Sequence, residues 1–438
     1  MAKDKAFSRL PGFRDFPPED FQIRSSIFEA WRETALRYGF QEYDGPPLEP
    51  LDLYTEKSGA EIVGQLYNFQ DKGGREITLR PEMTPSLARI LGERSRSMPK
   101  PIRWFTLPQL FRYERQQRGR LREHFQWNVD IVGEGGVGAD AEVLAVAIDA
   151  LRALGLGPQD FRARVSDRRL LSALLRAAGV PEEKLMAAFS VVDKLEREPQ
   201  DRSLERFQAE CGLSSQTAGE VLALFSSGDL EKVARTHGED PAVARSLESL
   251  EEYREIIRGL GLDAFLEFDL RIVRGLAYYT GIVFELFDRK GELRAICGGG
   301  RYDRLLELVG GEPLPAVGFG MGDVVLTELL RDRGLLPSTE RKADLFLVTI
   351  TPELRPLALE IARVHREQGR RVLYPLKAQP VKKQFSAAAV EGARWVVVLG
   401  PDEVERGVAV LRDMTSGAEG EVTLERLKAG GDLGGQEA

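Results

Sequence analysis

FRYERQQRGRLREHFQWNVDIVG, residues 111–133, decides the fold. It reads as two strands joined by a polar loop, Arg115–Gly119. Side chains alternate between the faces of a strand, so 121–132 puts Arg122, His124, Gln126, Asn128 and Asp130 on one side. Unpaired charge is costly to bury, so a sheet face carrying Arg, Gln and Asp is the floor of a polar ligand site rather than packed core. Five arginines (112, 115, 118, 120 and 122) stand against one acid, Glu114, with Phe111, Tyr113 and Phe125 close by. Basic side chains interleaved with aromatic ones point to a phosphate or nucleic-acid site, the plainer alternative being a solvated charged face.

Working outward, ADAEVLAVAIDALRAL (139–154) is a strong helix, reached through the glycines of 133–138. Upstream, Ile23, Ile27, Phe28, Trp31 and Ala35 share one helical face over 20–38, and Gly39 ends that helix. Pro46, Pro47 and Pro50 stiffen an extended edge segment. Strands are expected at 75–80 and 102–113, with a short helix after Pro85. Downstream, 161–166 reads as a strand and 168–260 as a run of short amphipathic helices. Strand character returns at 264–274, 280–288 and 293–298. GGGRYDRLLELVGG (298–311) is a glycine turn into a helix. PAVGFGMGDVVLTELL (315–330) is a strand, then a helix, and its period-two glycines permit close backbone approach. The domains expected are therefore 1–160 and 263–330 as two parts of one body, 161–262 as a mainly helical insertion, and 331–342 as a linker. A small α/β domain with a mostly parallel sheet follows at 343–428, then a Gly-rich, disordered tail at 429–438.

At 438 residues the chain has room for roughly three domains. No run approaches the ~18 apolar residues of a membrane helix, and Met1–Leu10 has no apolar core of a secretory signal. Cys211 and Cys297 form no disulfide framework, which suits a reducing cytoplasm. His124, His237 and His365 are too scattered for a histidine-built metal centre, so no protein-built metal site is expected. The net charge of −8 argues against a wholly basic nucleic-acid coat and leaves a local basic site open. GEGGVG (133–138) fits the dinucleotide fingerprint between a strand and a helix, but no acid closes a second strand about 20 residues on. The P-loop pattern is absent.

Two further clusters join the first. LRPEMT (79–84) holds a carboxylate and a hydroxyl after a proline, and RIVRGLAYYTGIVFE (271–285) holds an arginine before glycines and two tyrosines. Alone, the former could be a helix cap and the latter an ordinary hairpin. Together with PGFRDFPPED (11–20), GGGRYD, AVGFGMG and PVKKQF (380–385), they resemble the class II aminoacyl-tRNA synthetases, and within them the histidyl-tRNA synthetase family. FRYERQQRGRLRE resembles that class's motif 2, residues 20–50 its motif 1, and RGLAYYTG the histidine signature.

The resemblance implies an α+β chain: an antiparallel catalytic sheet flanked by helices, a helical insertion, and a C-terminal α/β anticodon-binding domain, in a cytoplasmic homodimer. It implies ligation of L-histidine to tRNA(His) with ATP and Mg²⁺. Arg112 and Arg274 would clamp the α-phosphate and the substrate carboxylate. Glu82, Met83, Thr84, Gln126, Asp130, Tyr278 and Tyr279 would surround histidine. Glu114, Arg115, Arg120, His124, Gly320 and Gly322 would hold ATP, and Gln116, Gln117, Arg118, Lys382 and Lys383 would meet tRNA. The chain departs from the family pattern at Met83, usually Gly, at His124, usually Phe, and at Ala277, usually Asp. It departs most at Val325, which stands where motif 3 carries an arginine for the terminal phosphate of ATP. The other reading is a non-catalytic histidine-binding paralogue resembling the regulatory subunit of ATP phosphoribosyltransferase. That type generally lacks the C-terminal domain, which this chain has.

Overall fold

The structure, a computed structural model, describes residues 7–58, 60–273, 279–304, 307, 313–339 and 342–434. It forms two compact units that meet between Pro337 and Ser338. In the first unit the described strands are β1 (Gln41–Glu42), β2 (Leu48–Pro50), β3 (Tyr67–Gln70), β4 (Glu76–Leu79), β5 (Ile102–Thr106), β6 (Gln109–Phe111), β7 (Glu123–Val132), β8 (Phe161–Asp167), β9 (Leu266–Phe268), β10 (Ile282–Asp288), β11 (Cys297–Arg301) and β12 (Ala316–Gly322). One sheet runs β1-β5-β7-β12-β11-β10-β8-β9 with β6 also on β7; a smaller one runs β2-β4-β3. The large sheet is antiparallel throughout its middle, and only the edge pairs β1–β5 and β8–β9 are parallel.

β7 organises this unit. Its odd residues Trp127, Val129 and Ile131 are fully or almost fully buried against helices. Trp127 stacks on Trp31 with ring centroids 5.8 Å apart and meets Phe319 edge-on at 5.1 Å. Trp31 arrives on helix Pro18–Arg37, which opens with proline and two acids in its first turn and buries Ile27, Trp31 and Ala35 at intervals of four. Gly39, at φ +76°, supplies the left-handed turn that ends the helix region. Helix Val137–Ala153 lies behind the sheet and is buried along most of its length.

GEGGVG takes a structural part. Gly133 has φ +91°, and the carbonyls of Glu134 and Gly136 accept from the Arg301 guanidinium, which also pairs with buried Asp140. These glycines hold an arginine of β11 at the start of a helix and do not cradle a phosphate.

The helical insertion starts later than the sequence suggests. Residues 161–167 are β8, an inner strand of the large sheet, and the helices between β8 and β9 begin at Arg168. The expected linker also loses its first two residues, because helix Asp323–Asp332 continues through them.

The second unit has its own five-stranded sheet from β13 (Leu345–Thr349), β14 (Val372–Leu373), β15 (Trp395–Leu399), β16 (Val408–Asp413) and β17 (Glu419–Thr423), in the order β14-β13-β15-β16-β17. It is mixed rather than mostly parallel: β14, β13 and β15 run together, and β16 and β17 are antiparallel additions. Residues 429–434 belong to this fold rather than to a loose tail. Leu433 is 6% exposed in the core, and Gly430 and Gly431 accept hydrogen bonds from Arg370. Residues 435–438 lie outside the described part.

Candidate active site

Beside β7 in the sheet runs β12, in a register that pairs Gln126 with Gly322, Asn128 with Gly320, and Asp130 with Gly318. A Cβ is excluded by backbone at one of these positions and would displace the Gln126 amide at another. A Cβ at Gly320 would stand 2.7 Å from Gln126 Cδ, and one at Gly318 would be 2.6 Å from Val129 O and would collide with the Asp130 carboxylate. The polar side chains of β7 therefore lie across bare backbone, and over this floor opens a cavity of about 1090 Å³.

Glu82, Arg112, Glu114, Arg120, His124, Gln126, Gly320 and Gly322 all line it, so eight of the expected site residues converge. Arg112 Nε donates to Pro81 O at 2.9 Å, which fixes the guanidinium beside Glu82. Arg120 pairs with Glu114 at 2.8 Å. Burial, with Arg112, Arg14 and Arg120 nearby, pushes the His124 imidazole down to about 3, so the ring is neutral at any working pH.

Neither Asp130 nor Tyr279 is on the cavity wall: Tyr279 belongs to an apolar cluster with Tyr302, and Asp130 stands on the even face of β7 against that Tyr302. Asp130 is 4% exposed and accepts from the Tyr302 hydroxyl. Burial raises its pKa to about 7. The Tyr43 hydroxyl and the Asn128 side-chain oxygen are buried without a hydrogen-bond partner among the described residues. Unsatisfied buried polar groups beside a buried acid mark a place where a polar ligand group completes the bonding.

The other expected residues stand apart from this wall or outside the described part. Met83 is fully buried, its sulfur 3.8 Å from Arg80 Nη1, so its side chain packs the core and does not meet a ligand. Thr84 opens helix Thr84–Arg94 and is off the cavity wall. Arg115 is exposed and off the wall as well. Gln116 packs on the backbone of Gly12, Gln117 bonds Arg294, and Arg118 reaches Glu328 at 3.3 Å and Asp332 at 3.7 Å. Lys382 and Lys383 are exposed in the first turn of helix Val381–Val390 of the second unit. Arg274 and Tyr278 lie outside the described residues.

Several participants escape a sequence reading. Tyr302 is 172 positions from the aspartate it bonds, though it stands in the conspicuous GGGRYD. Arg164, Arg271 and Glu196 line another side of the cavity, the two arginines held by buried Asp269 behind them, and only the fold assembles this group. Arg14, from PGFRDF, donates to Glu123 at 2.7 Å and to Asp323 at 2.8 Å. The other Asp323 oxygen accepts from Phe125 N at 2.9 Å. That bridge ties the start of β7 to the helix carrying Val325.

A family model described as histidyl-tRNA synthetase matches residues 12–323, and one described as an anticodon binding domain matches 344–430. The chain is 45% identical over 429 residues to a histidine–tRNA ligase of Opitutus terrae, covering 97% of each. It is 41% identical to a chloroplastic/mitochondrial histidine–tRNA ligase of Arabidopsis thaliana, covering 95% of this chain and 85% of that one. Among solved structures, a histidyl-tRNA synthetase from Nostoc superposes with a TM-score of 0.81 at 25% identity, over 96% of this chain and 99% of the other.

Arg14→Met should destabilise the first unit by about 3–5 kcal/mol, because Glu123 and Asp323 lose their cation inside the fold. Urea unfolding followed by tryptophan fluorescence measures it. Burial already raises the Asp323 pKa, and losing Arg14 raises it further, so the acid takes up its proton earlier as pH falls. The deficit relative to the parent chain should therefore shrink from pH 8 to pH 5. A constant deficit would contradict this origin.

Proposed function

We propose how this chain, which belongs to the histidyl-tRNA synthetase family, carries out the ligation of histidine to tRNA. In the first step the histidine carboxylate oxygen attacks the α-phosphorus of ATP. The new C–O–P link forms as the bond to the β-phosphate oxygen breaks, and pyrophosphate leaves with that electron pair. In the second step the acyl group passes to the terminal ribose of tRNA. The first step needs no proton transfer. It needs two anions held in line and their growing charge neutralised.

The observation that carries the assignment of the site is the convergence of Arg112, Glu82, Gln126, His124 and Arg120 in one cavity over a glycine floor. Arg112, anchored on Pro81 O, is suited to meet the α-phosphate and the carboxylate, since guanidinium engages such oxygens in pairs. Glu82 and Gln126, with Thr84 behind them, would take the ammonium group. Asp130 would accept from the imidazole, with Tyr279 and Tyr302 around it. His124 offers a neutral ring for adenine, and Glu114 an acceptor at its edge. Arg274 and Tyr278 keep the parts the resemblance gives them.

No cluster of three or more carboxylates, histidines or cysteines able to hold a metal occurs among the described residues. Mg²⁺ would arrive on the nucleotide, because the ion keeps most of its ligands as phosphate oxygens and water. Glu285, on the wall, would add one oxygen. When bound, the ion would neutralise phosphate charge.

The second unit would grip tRNA, with Lys382 and Lys383 meeting phosphates and Gln116–Arg118 reaching the acceptor end. We place the reaction in the cytoplasm, in keeping with two buried cysteines that form no disulfide, and in a homodimer. Exposed Leu48 and Phe69 on the small sheet supply apolar surface for a second copy; a monomer mass by light scattering would refute the dimer. The paralogue reading has less support, because the anticodon-binding match is present and relatives similar over nearly the whole chain are named ligases.

Histidine-dependent ATP–pyrophosphate exchange, followed by charging of tRNA, tests the whole reading. Histidine bound without exchange at any ATP concentration would favour the paralogue.

Histidine affinity should strengthen from pH 6 to pH 8. Asp130, held near 7 by burial, loses its proton over that range and becomes the better acceptor. Asp130→Asn should weaken histidine binding about tenfold or more and remove that part of the pH dependence, with ATP binding little changed. Calorimetry with each ligand measures both, and equal losses for the two ligands would make the residue structural.

A chain ending at Pro337 should keep pyrophosphate exchange and lose most tRNA charging, because each unit has its own core. Loss of exchange as well would tie the second unit to adenylate formation.

A further inference from the structure

We propose that Arg294, on the loop between β10 and β11, binds the terminal phosphates of ATP and the departing pyrophosphate, in place of the arginine missing at Val325. The inference rests on the ligase reading above and adds a residue to it.

Three observations place the charge. First, Arg294 and Val325 flank the same point of the cavity wall. A Cβ built on Gly119 would meet Val325 Cγ2 at 3.2 Å and Arg294 Cδ at 3.8 Å, and all three residues line the cavity. The Arg294 stem therefore passes close to where a side chain at position 325 leaves its helix. Second, among the described residues Arg294 forms no ion pair. Its one hydrogen bond to a side chain goes to the neutral Gln117 oxygen, on the tip of the motif 2 loop. Third, its surroundings are short of negative charge. Desolvation and the neighbouring Arg120 and Arg197 pull its pKa down, against Glu114 alone on the other side.

The two other candidates for this part are weaker. Arg115 is not on the cavity wall, and Arg120 is shared with Glu114. Arg294 and Arg120 together would present two planar forks to one pyrophosphoryl group, the geometry for a bridging grip on a polyanion. Pyrophosphate leaves by breaking the α–β bridging bond and gains charge as it does so. A cation fixed beside it acts in the forward step and in its reversal.

The test uses the full chain, with exchange kinetics in which ATP, pyrophosphate and histidine are varied separately. Transfer of histidine from preformed histidyl-adenylate to tRNA is measured beside it. Arg294→Ala should raise KM for ATP and for pyrophosphate about tenfold or more, as expected when a charged donor to phosphate is removed. The histidine KM and the transfer step should stay within about twofold of the parent, because neither involves pyrophosphate. Arg294→Lys keeps the charge, loses the fork, and should fall between. Unchanged ATP and pyrophosphate constants in Arg294→Ala, with an active parent chain, would overturn the assignment. An equal loss in histidine binding or in transfer would also overturn it, by showing that the residue only shapes the loop. An inactive parent chain would instead overturn the ligase reading itself.

Discussion

The close approach of β12 to β7 is the constraint on which the site depends. Two glycines of β12 lie opposite polar residues of β7, and neither position has room for a methyl group. With side chains there, Asp130 and Gln126 would have to leave the floor or the strands would have to part. Parting the strands would break the hydrogen-bonded centre of the large sheet. The opposite face of β7 opposes any such shift. Trp127 is clamped between Trp31 and Phe319, and a buried aromatic stack tolerates little displacement because interiors are close-packed. One strand thus carries a rigid apolar face and a polar face, and the first gives the second its precision.

The same logic explains which parts of the molecule are legible in the sequence. Strand alternation is local, so the assignment of residues 124–130 to two faces follows from spacing alone, as does the helix carrying Ile27, Trp31 and Ala35. Boundaries are harder. Residues 161–167 precede a long helical stretch and lie far in sequence from their partner β10, so their place in the large sheet depends on pairings that no local pattern announces. The mixed character of the second sheet has the same cause, since β17 is a short, mostly exposed strand without a hydrophobic run.

For the site, sequence proximity groups residues where neighbouring positions share a wall, as Arg112, Glu114, Arg120, His124 and Gln126 do. It does not separate them where one motif holds both a cavity-facing and a core-facing member. Met83 follows Glu82 directly, yet its side chain turns into the core. Tyr302, Arg294 and the Arg164 group join the site only through long-range folding. The hydrogen bonds of Tyr302 and Arg294 span 172 and 177 positions, and that of Arg164 to Asp269 spans 105. GEGGVG shows the converse. Its spacing is that of a phosphate loop, but an arginine of β11 occupies its carbonyls.

The net charge of −8 does not govern how such a chain receives a polyanion. Fields from distant exposed charges fade over about 8–10 Å in physiological salt, so the ion pairs at the cavity decide. These fall into two kinds by burial. The carboxylates that hold Arg14 are 1% and 3% exposed, and breaking such pairs strands charge in the interior, so they are permanent. The Arg120 side chain is 44% exposed in its pair with Glu114, and pairs so open to water contribute little to stability. In the proposed reaction phosphate would compete with Glu114, itself 14% exposed, for the open face of Arg120, and the glutamate would hold the guanidinium until then. Burial thus separates the pairs that tie β7 to the helix carrying Val325 from the one that a ligand would exchange.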